Sequence, residues 1–123
     1  MFSFKRIIGN QAEQIALKHL QQHNLKLIER NYLTKLGEID IIMLDKYSNT
    51  LVFVEVRYRK NSQFSAAVAT VTTHKQRRII QTAQHYLQTH TDQQQLACRF
   101  DVVGVESDLK YPTITWIKDA FEA

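Results

Sequence analysis

Apolar residues recur with two different periods along this chain, and the switches between them mark the elements. Between positions 10 and 22, Ala12, Ile15, Ala16, His19 and Leu20 fall at the spacing of one helix face. Asn10 followed by Glu13 has the form of a capping box, which predicts a helix starting at Asn10 after a break at Gly9. A turn at His23-Asn24 leads into a strand over 25–33, where Lys26, Glu29 and Arg30 mark an exposed, edge-like side. Positions 37–59 read GEIDIIMLDKYSNTLVFVEVRYR, two runs rich in Ile, Leu, Val and Phe around a polar break at 46–49. That pattern predicts a β-hairpin.

A small-residue loop follows over 61–72, with Phe64 its only aromatic; a loop that long is functional or mobile. Thr73-His74-Lys75-Gln76 is a second capping box. It opens a helix to about Thr89 with Ile79, Ile80, Ala83 and Leu87 on one face. After a polar linker at 91–95, positions 96–105 (LACRFDVVGV) and 113–117 read as strands, and Trp116 and Phe121 close the core.

The order is α-β-β-β-α-β-β. Three strands can form an antiparallel meander, and the second helix can cross over right-handedly to set the fourth strand parallel to one of them. The expected fold is α/β, a mixed central sheet flanked by helices, in one domain over positions 1–123. That length supports a hydrophobic core. With 44% hydrophobic and 23% charged residues, the composition excludes a disordered chain. No apolar run approaches the roughly 20 residues that span a bilayer, and no signal peptide is read at the start. The single cysteine, Cys98, fits a reducing compartment and is expected as a buried structural thiol. These features predict a soluble cytoplasmic protein. A net charge of +4 and a pI near 9.3 favour a polyanionic partner.

The hairpin carries the chemistry. Side chains alternate faces along a strand, so Glu38 and Asp40 point one way and Ile39, Ile41 and Met43 the other. On the second strand Phe53, Glu55, Arg57 and Arg59 share a face. If 46–49 form a four-residue loop, Asp45 pairs with Thr50 and, counting back, Asp40 falls opposite Glu55. Like charges directly opposed are destabilising. A divalent cation would explain the pair; a register off by one, or carboxylates facing open water, would dissolve it. Glu13 is either the helix cap or a third acid reaching the hairpin's polar face. Lys75, Arg77 and Arg78 sit in the first turns of the second helix, where positive charge opposes the macrodipole. Phosphate contact or a solvated helix face would account for them. Arg99 and Asp101 read as a structural ion pair.

Glu13, Gly37-Glu38-Ile39-Asp40 and Phe53-Val54-Glu55-Val56-Arg57 together resemble the PD-(D/E)XK nuclease pattern. With Lys75-Gln76-Arg77-Arg78 and Arg99-Phe100-Asp101-Val102-Val103, the chain is similar from about Gly9 to Val105 to the bacterial YraN-like family. That family is expected to share the restriction-endonuclease-like fold and is similar to archaeal Holliday-junction resolvases. The resemblance implies a metal-dependent nuclease on structured or branched nucleic acid. Asp40, Glu55 and the Val56 carbonyl would bind Mg²⁺ or Mn²⁺, and Glu13 would complete the acidic cluster. It further implies nucleic acid as partner, DNA before RNA, with Arg57, Arg59, Lys75, Arg77 and Arg78 as its contacts, no membrane, and a two-fold homodimer. Where the superfamily pattern usually has Lys, this chain has Arg57. Arginine stays protonated and cannot act as a general base, but it can clamp a phosphate oxygen. Glu38 either lines the site or pairs with an arginine. The competing expectation is a non-catalytic nucleic-acid-binding or adaptor protein on the same fold.

Overall fold

The computed structural model describes residues 4–60, 70–106 and 108–123. Most of the loop expected over 61–72, Phe64 included, lies outside the described residues. The elements are α1 (Phe4–Gln21), β1 (Leu25–Thr34), β2 (Gly37–Asp45), β3 (Thr50–Arg59), α2 (Thr73–Thr89), a short 3₁₀ turn (Thr91–Gln93), β4 (Ala97–Glu106) and β5 (Thr113–Phe121). This is the order and the α/β class expected from the sequence. Val, Ile and Phe dominate β2, β3 and β4, and such side chains pack well on a pleated surface.

The sheet order is β1-β2-β3-β4-β5. β1, β2 and β3 form an antiparallel meander, β4 lies parallel to β3, and β5 returns antiparallel. A parallel neighbour needs a crossover, and α2 supplies it. Each helix covers one face. α1 sets Ala12, Ala16, Leu17 and Leu20 in a core with Ile41, Met43, Val52, Val54, Val103 and Val105. α2 sets Ile79, Ala83 and Tyr86 in a second core with Ile39, Ile42, Leu51, Phe53, Phe100 and Val102. Ile39 and Ile41, expected on one face, therefore belong to different cores, and the strand alternation breaks around Asp40 between them.

Helix α1 begins at Phe4, so Asn10 and Glu13 lie inside it and the expected capping box does not form. An interior glycine costs a helix about 1 kcal/mol. Burying a Leu17- or Leu20-sized side chain contributes about 1.5–3 kcal/mol, so Gly9 does not end the helix. The cap of α2 lies one residue earlier than expected: the Thr72 hydroxyl accepts from the Lys75 N–H at 3.3 Å. Gln76 donates instead to the Val71 carbonyl at 3.2 Å. β5 extends past the expected 113–117 to Phe121.

Both outer strands are irregular. The β1–β2 register slips between Leu27 and Glu29, and the β4–β5 register slips between Phe100 and Val102. Asn31 on β1 (φ 52°) and Asp119 on β5 (φ 53°) take the left-handed conformation, which Asn and Asp tolerate best among non-glycine residues. Arg99 and Asp101 form the expected structural pair. Arg99 Nε donates to Asp101 Oδ1 at 3.0 Å, and its Nη1 donates to Asp45 Oδ2 at 2.8 Å. Fully buried Asp101 also accepts from Trp116 Nε1 at 2.9 Å and the Asp119 N–H at 3.0 Å. Cys98, expected to be buried, is exposed on β4.

Candidate functional site

The site forms where β2 and β3 part. Their ladder runs from Asp45↔Thr50 to Ile41↔Val54, the register expected from the sequence, and stops there. One step further Asp40 would oppose Glu55. Instead, Asp40 Oδ2 accepts a hydrogen bond from the Val56 N–H at 2.8 Å. A backbone donor at a strand end must find a partner, and here a side chain serves.

A cleft of about 440 Å³ opens at this point. α1 contributes Gly9, Ala12 and Glu13, β2 contributes Glu38 and Asp40, β3 contributes Glu55, Val56 and Arg57, and α2 contributes Lys75 and Arg78. Carboxylate oxygens of Glu13, Glu38 and Asp40 lie within 4.8 Å of one another. Burial, then the charge of Glu55 and a hydrogen bond with it, push Asp40 well above the usual carboxylate range; the Val56 N–H opposes them. Glu13 is raised too, by burial first and by the charge of Asp40, while the Asn31 hydrogen bond and Arg30 pull it back.

The chemistry of this donor set fits a hard divalent cation. All the candidate ligand atoms are oxygens, as Mg²⁺ and Mn²⁺ prefer. Burial and neighbouring negative charge raise both Asp40 and Glu13, and a cation between them would act in the opposite direction. Glu55 instead has cationic neighbours: Arg57 Nη1 at 3.4 Å and Lys75 Nζ at 3.9 Å from its Oε2.

The basic residues divide by position. Arg57, Lys75 and Arg78 line the cleft, whereas Arg59 and Arg77 are exposed and do not. Arg57 Nε donates to the Thr70 hydroxyl at 2.7 Å. Arg78 Nε donates to the Leu36 carbonyl at 2.9 Å, tying the β1–β2 turn to α2. Gly37 follows in that turn at φ 157°, and a Cβ there would come within 3.2 Å of the Thr82 hydroxyl. The close approach sets the start of β2 against the second helix.

Two residues carry more of the site than the sequence suggested. Glu38 belongs to the acid cluster and accepts from a side-chain amide. Asn31, not singled out by its spacing, donates from Nδ2 to Glu13 Oε1 at 2.9 Å and to Glu38 Oε1 at 3.2 Å. The available signal was an asparagine, a poor strand former, in the middle of a strand.

Residues 12–105 match the model of the family described as Uncharacterised protein family UPF0102. The chain belongs to this family. It is the YraN-like family that the GEID and EVR motifs resemble. A UPF0102 protein of Coxiella burnetii (strain RSA 493 / Nine Mile phase I) is 51% identical over 122 residues, covering 99% of this chain and 98% of its own. A UPF0102 protein of Nitrosococcus oceani is 50% identical over 113 residues, covering 92% and 90%. One of Psychromonas ingrahamii is 49% identical over 114 residues, covering 93% and 88%. The span matched by the UPF0102 model contains every acid and base of the cleft named above. No helix among the described residues is long and apolar enough to cross a membrane.

Proposed function

We propose that this UPF0102 protein is a divalent-cation-dependent nuclease of the PD-(D/E)XK type, hydrolysing phosphodiester bonds in structured or branched nucleic acid. The observation that carries the reading is the gathering of Glu13, Glu38 and Asp40 in one cleft that Glu55, Arg57 and Lys75 also line, where β2 and β3 part. Asp40, Glu55 and the Val56 carbonyl would hold Mg²⁺ or Mn²⁺, with Glu13 completing the set. A cation there supplies Lewis-acid charge and lowers the pKa of a bound water.

The chain's own groups do the rest. Asp40 is oriented by the Val56 N–H, so its other oxygen faces a defined direction. Arg57 and Lys75 offset the charge of Glu55 and stand ready for a phosphate oxygen. Arg57 is a clamp for developing charge and not a base, because its guanidinium keeps its proton. DNA is favoured over RNA as substrate, the compartment is the cytoplasm, and a two-fold homodimer would suit a four-way junction.

Cleavage of linear, flapped and four-way substrates with Mn²⁺ or Mg²⁺, wild type beside Asp40→Asn, tests the activity. Loss of cleavage in the variant supports it. Absence of cleavage by wild type, with junction binding retained, favours the second reading. In that reading the protein is a non-catalytic nucleic-acid-binding or adaptor protein; the observation behind it is that Arg57, in the lysine position, is already bound to Thr70 and Glu55.

A further inference from the structure

Glu13 and Glu38 reach the cleft from different elements, a helix and a strand, and neither has a covalent reason to face the other. Both carboxylates meet at a single group, the Asn31 side-chain amide, which engages Oε1 of each. Arg30, the preceding residue, adds a weaker contact to Glu13 Oε1 at 3.7 Å. The backbone supports this placement. β1 pairs with β2 at Arg30↔Ile41 and Tyr32↔Ile39, so Asn31 stands beside Asp40, where the ladder has no pair. Its φ of 52° turns the residue out of the strand's ordinary conformation. Such a conformation persists only where the surroundings hold it.

We propose that Asn31 is the positioning residue of this cleft: its amide gathers Glu13 and Glu38 around Asp40 and so sets the carboxylate geometry that a divalent cation meets. The role rests on the metal reading above. An amide suits it better than a cation would. Its two N–H groups can orient two carboxylates without cancelling the charge that attracts the metal. With Oε1 of each glutamate engaged by the amide, Oε2 would be the oxygen that each offers to the cation. Groups that orient metal-binding carboxylates change affinity by 10–100-fold when removed.

Asn31→Gly separates the amide from the backbone, since glycine accepts φ 52° without penalty. Mn²⁺ binding, followed by electron paramagnetic resonance of the free ion, should weaken by about 10–100-fold in Asn31→Gly. In a Glu13→Gln/Glu38→Gln background the same substitution should change affinity by less than about threefold, because the amide acts through those two charges. Asn31→Asp, of the same shape, puts like charge where the donor was. Its melting temperature in EDTA should fall by about 3–6 °C and be recovered by Mn²⁺. Unchanged Mn²⁺ affinity in Asn31→Gly, equal losses in both backgrounds, or an unaltered melting temperature for Asn31→Asp in EDTA would each overturn the role. No Mn²⁺ binding by wild type would instead overturn the metal reading, and this role with it.

Discussion

Asp40 holds the Val56 N–H at 2.8 Å, and through that one bond a carboxylate takes over where the β2–β3 ladder ends. The same aspartate is pushed above its ordinary range, by burial first and then by Glu55. A raised folded pKa stabilises the fold only while both states are protonated. Below about pH 4, the unfolded value, that contribution is complete; it is lost as pH rises toward the folded value. In EDTA, Asp40→Asn should therefore melt about 3–6 °C above wild type at pH 7, with the gap closing near pH 4. Mn²⁺ should raise the melting temperature of wild type and leave the variant unmoved. A variant less stable than wild type at neutral pH would give Asp40 a structural role instead.

The two classes of basic residue should differ in what they do to binding. Lys75 lines the cleft and Arg77 does not. Lys75→Ala should weaken binding to junction DNA across sequences and lower the slope of log K against log salt by up to about 0.9. Arg77→Ala should lower it by less. Equal slopes for wild type and Lys75→Ala would make Lys75 a partner of Glu55 alone.

Arg57 discriminates between catalysis and binding. If the cleft cleaves, Arg57→Ala should reduce the rate by roughly 10²–10³-fold, as for loss of one preorganised donor. Arg57→Lys should keep or raise it, since an ammonium can still face both phosphate and water. A wild type without cleavage beside an Arg57→Lys variant that gains it would identify a binder that has given up hydrolysis. If both are inactive with metal bound, the nuclease reading falls.

Away from the cleft, Arg99 holds two aspartates, one of them fully buried. Arg99→Ala should cost about 3–5 kcal/mol, the penalty for stranding a buried charge. Asp101→Asn in the same chain should recover part of that loss, because the charge goes while one of the two oxygens that accept from Trp116 and Asp119 stays. Urea melts of the single and double variants measure both. A loss below about 1 kcal/mol would mean that water reaches Asp101.

The hairpin made much of the site readable. A four-residue break fixed the Asp45↔Thr50 register, and counting back along it led to the strand ends where Asp40 and Glu55 line one cleft. The parallel β4 followed from the need for a crossover. What escaped depended on contacts far apart in the chain. Gly9 looked like a break ahead of the helix because local propensity outweighs packing when only the sequence is weighed. Glu38 was read as lining the site or pairing with an arginine, because Asn31, seven residues before it, reaches it only after β1 folds onto β2. Arg78 read as a phosphate contact, yet its bond to the Leu36 carbonyl depends on where the β1–β2 turn lands. Period two failed at Asp40, where the strand departs from the ladder.

The register slips and left-handed residues on β1 and β5 bear on how copies of this protein can meet. An outer strand that is long, flat and regular invites another chain to hydrogen-bond alongside it. Here each open side is kinked, once near Ile28 and again at Asn31, and on the other side near Asp101 and at Asp119. A sheet continued from one molecule to the next would have to straighten Asn31 and so release Glu13 and Glu38, or straighten Asp119 and unseat its N–H from buried Asp101. Fibrillar association is thereby opposed by the same residues that order the cleft and the far core. Both margins of the sheet are thus poor templates for another strand.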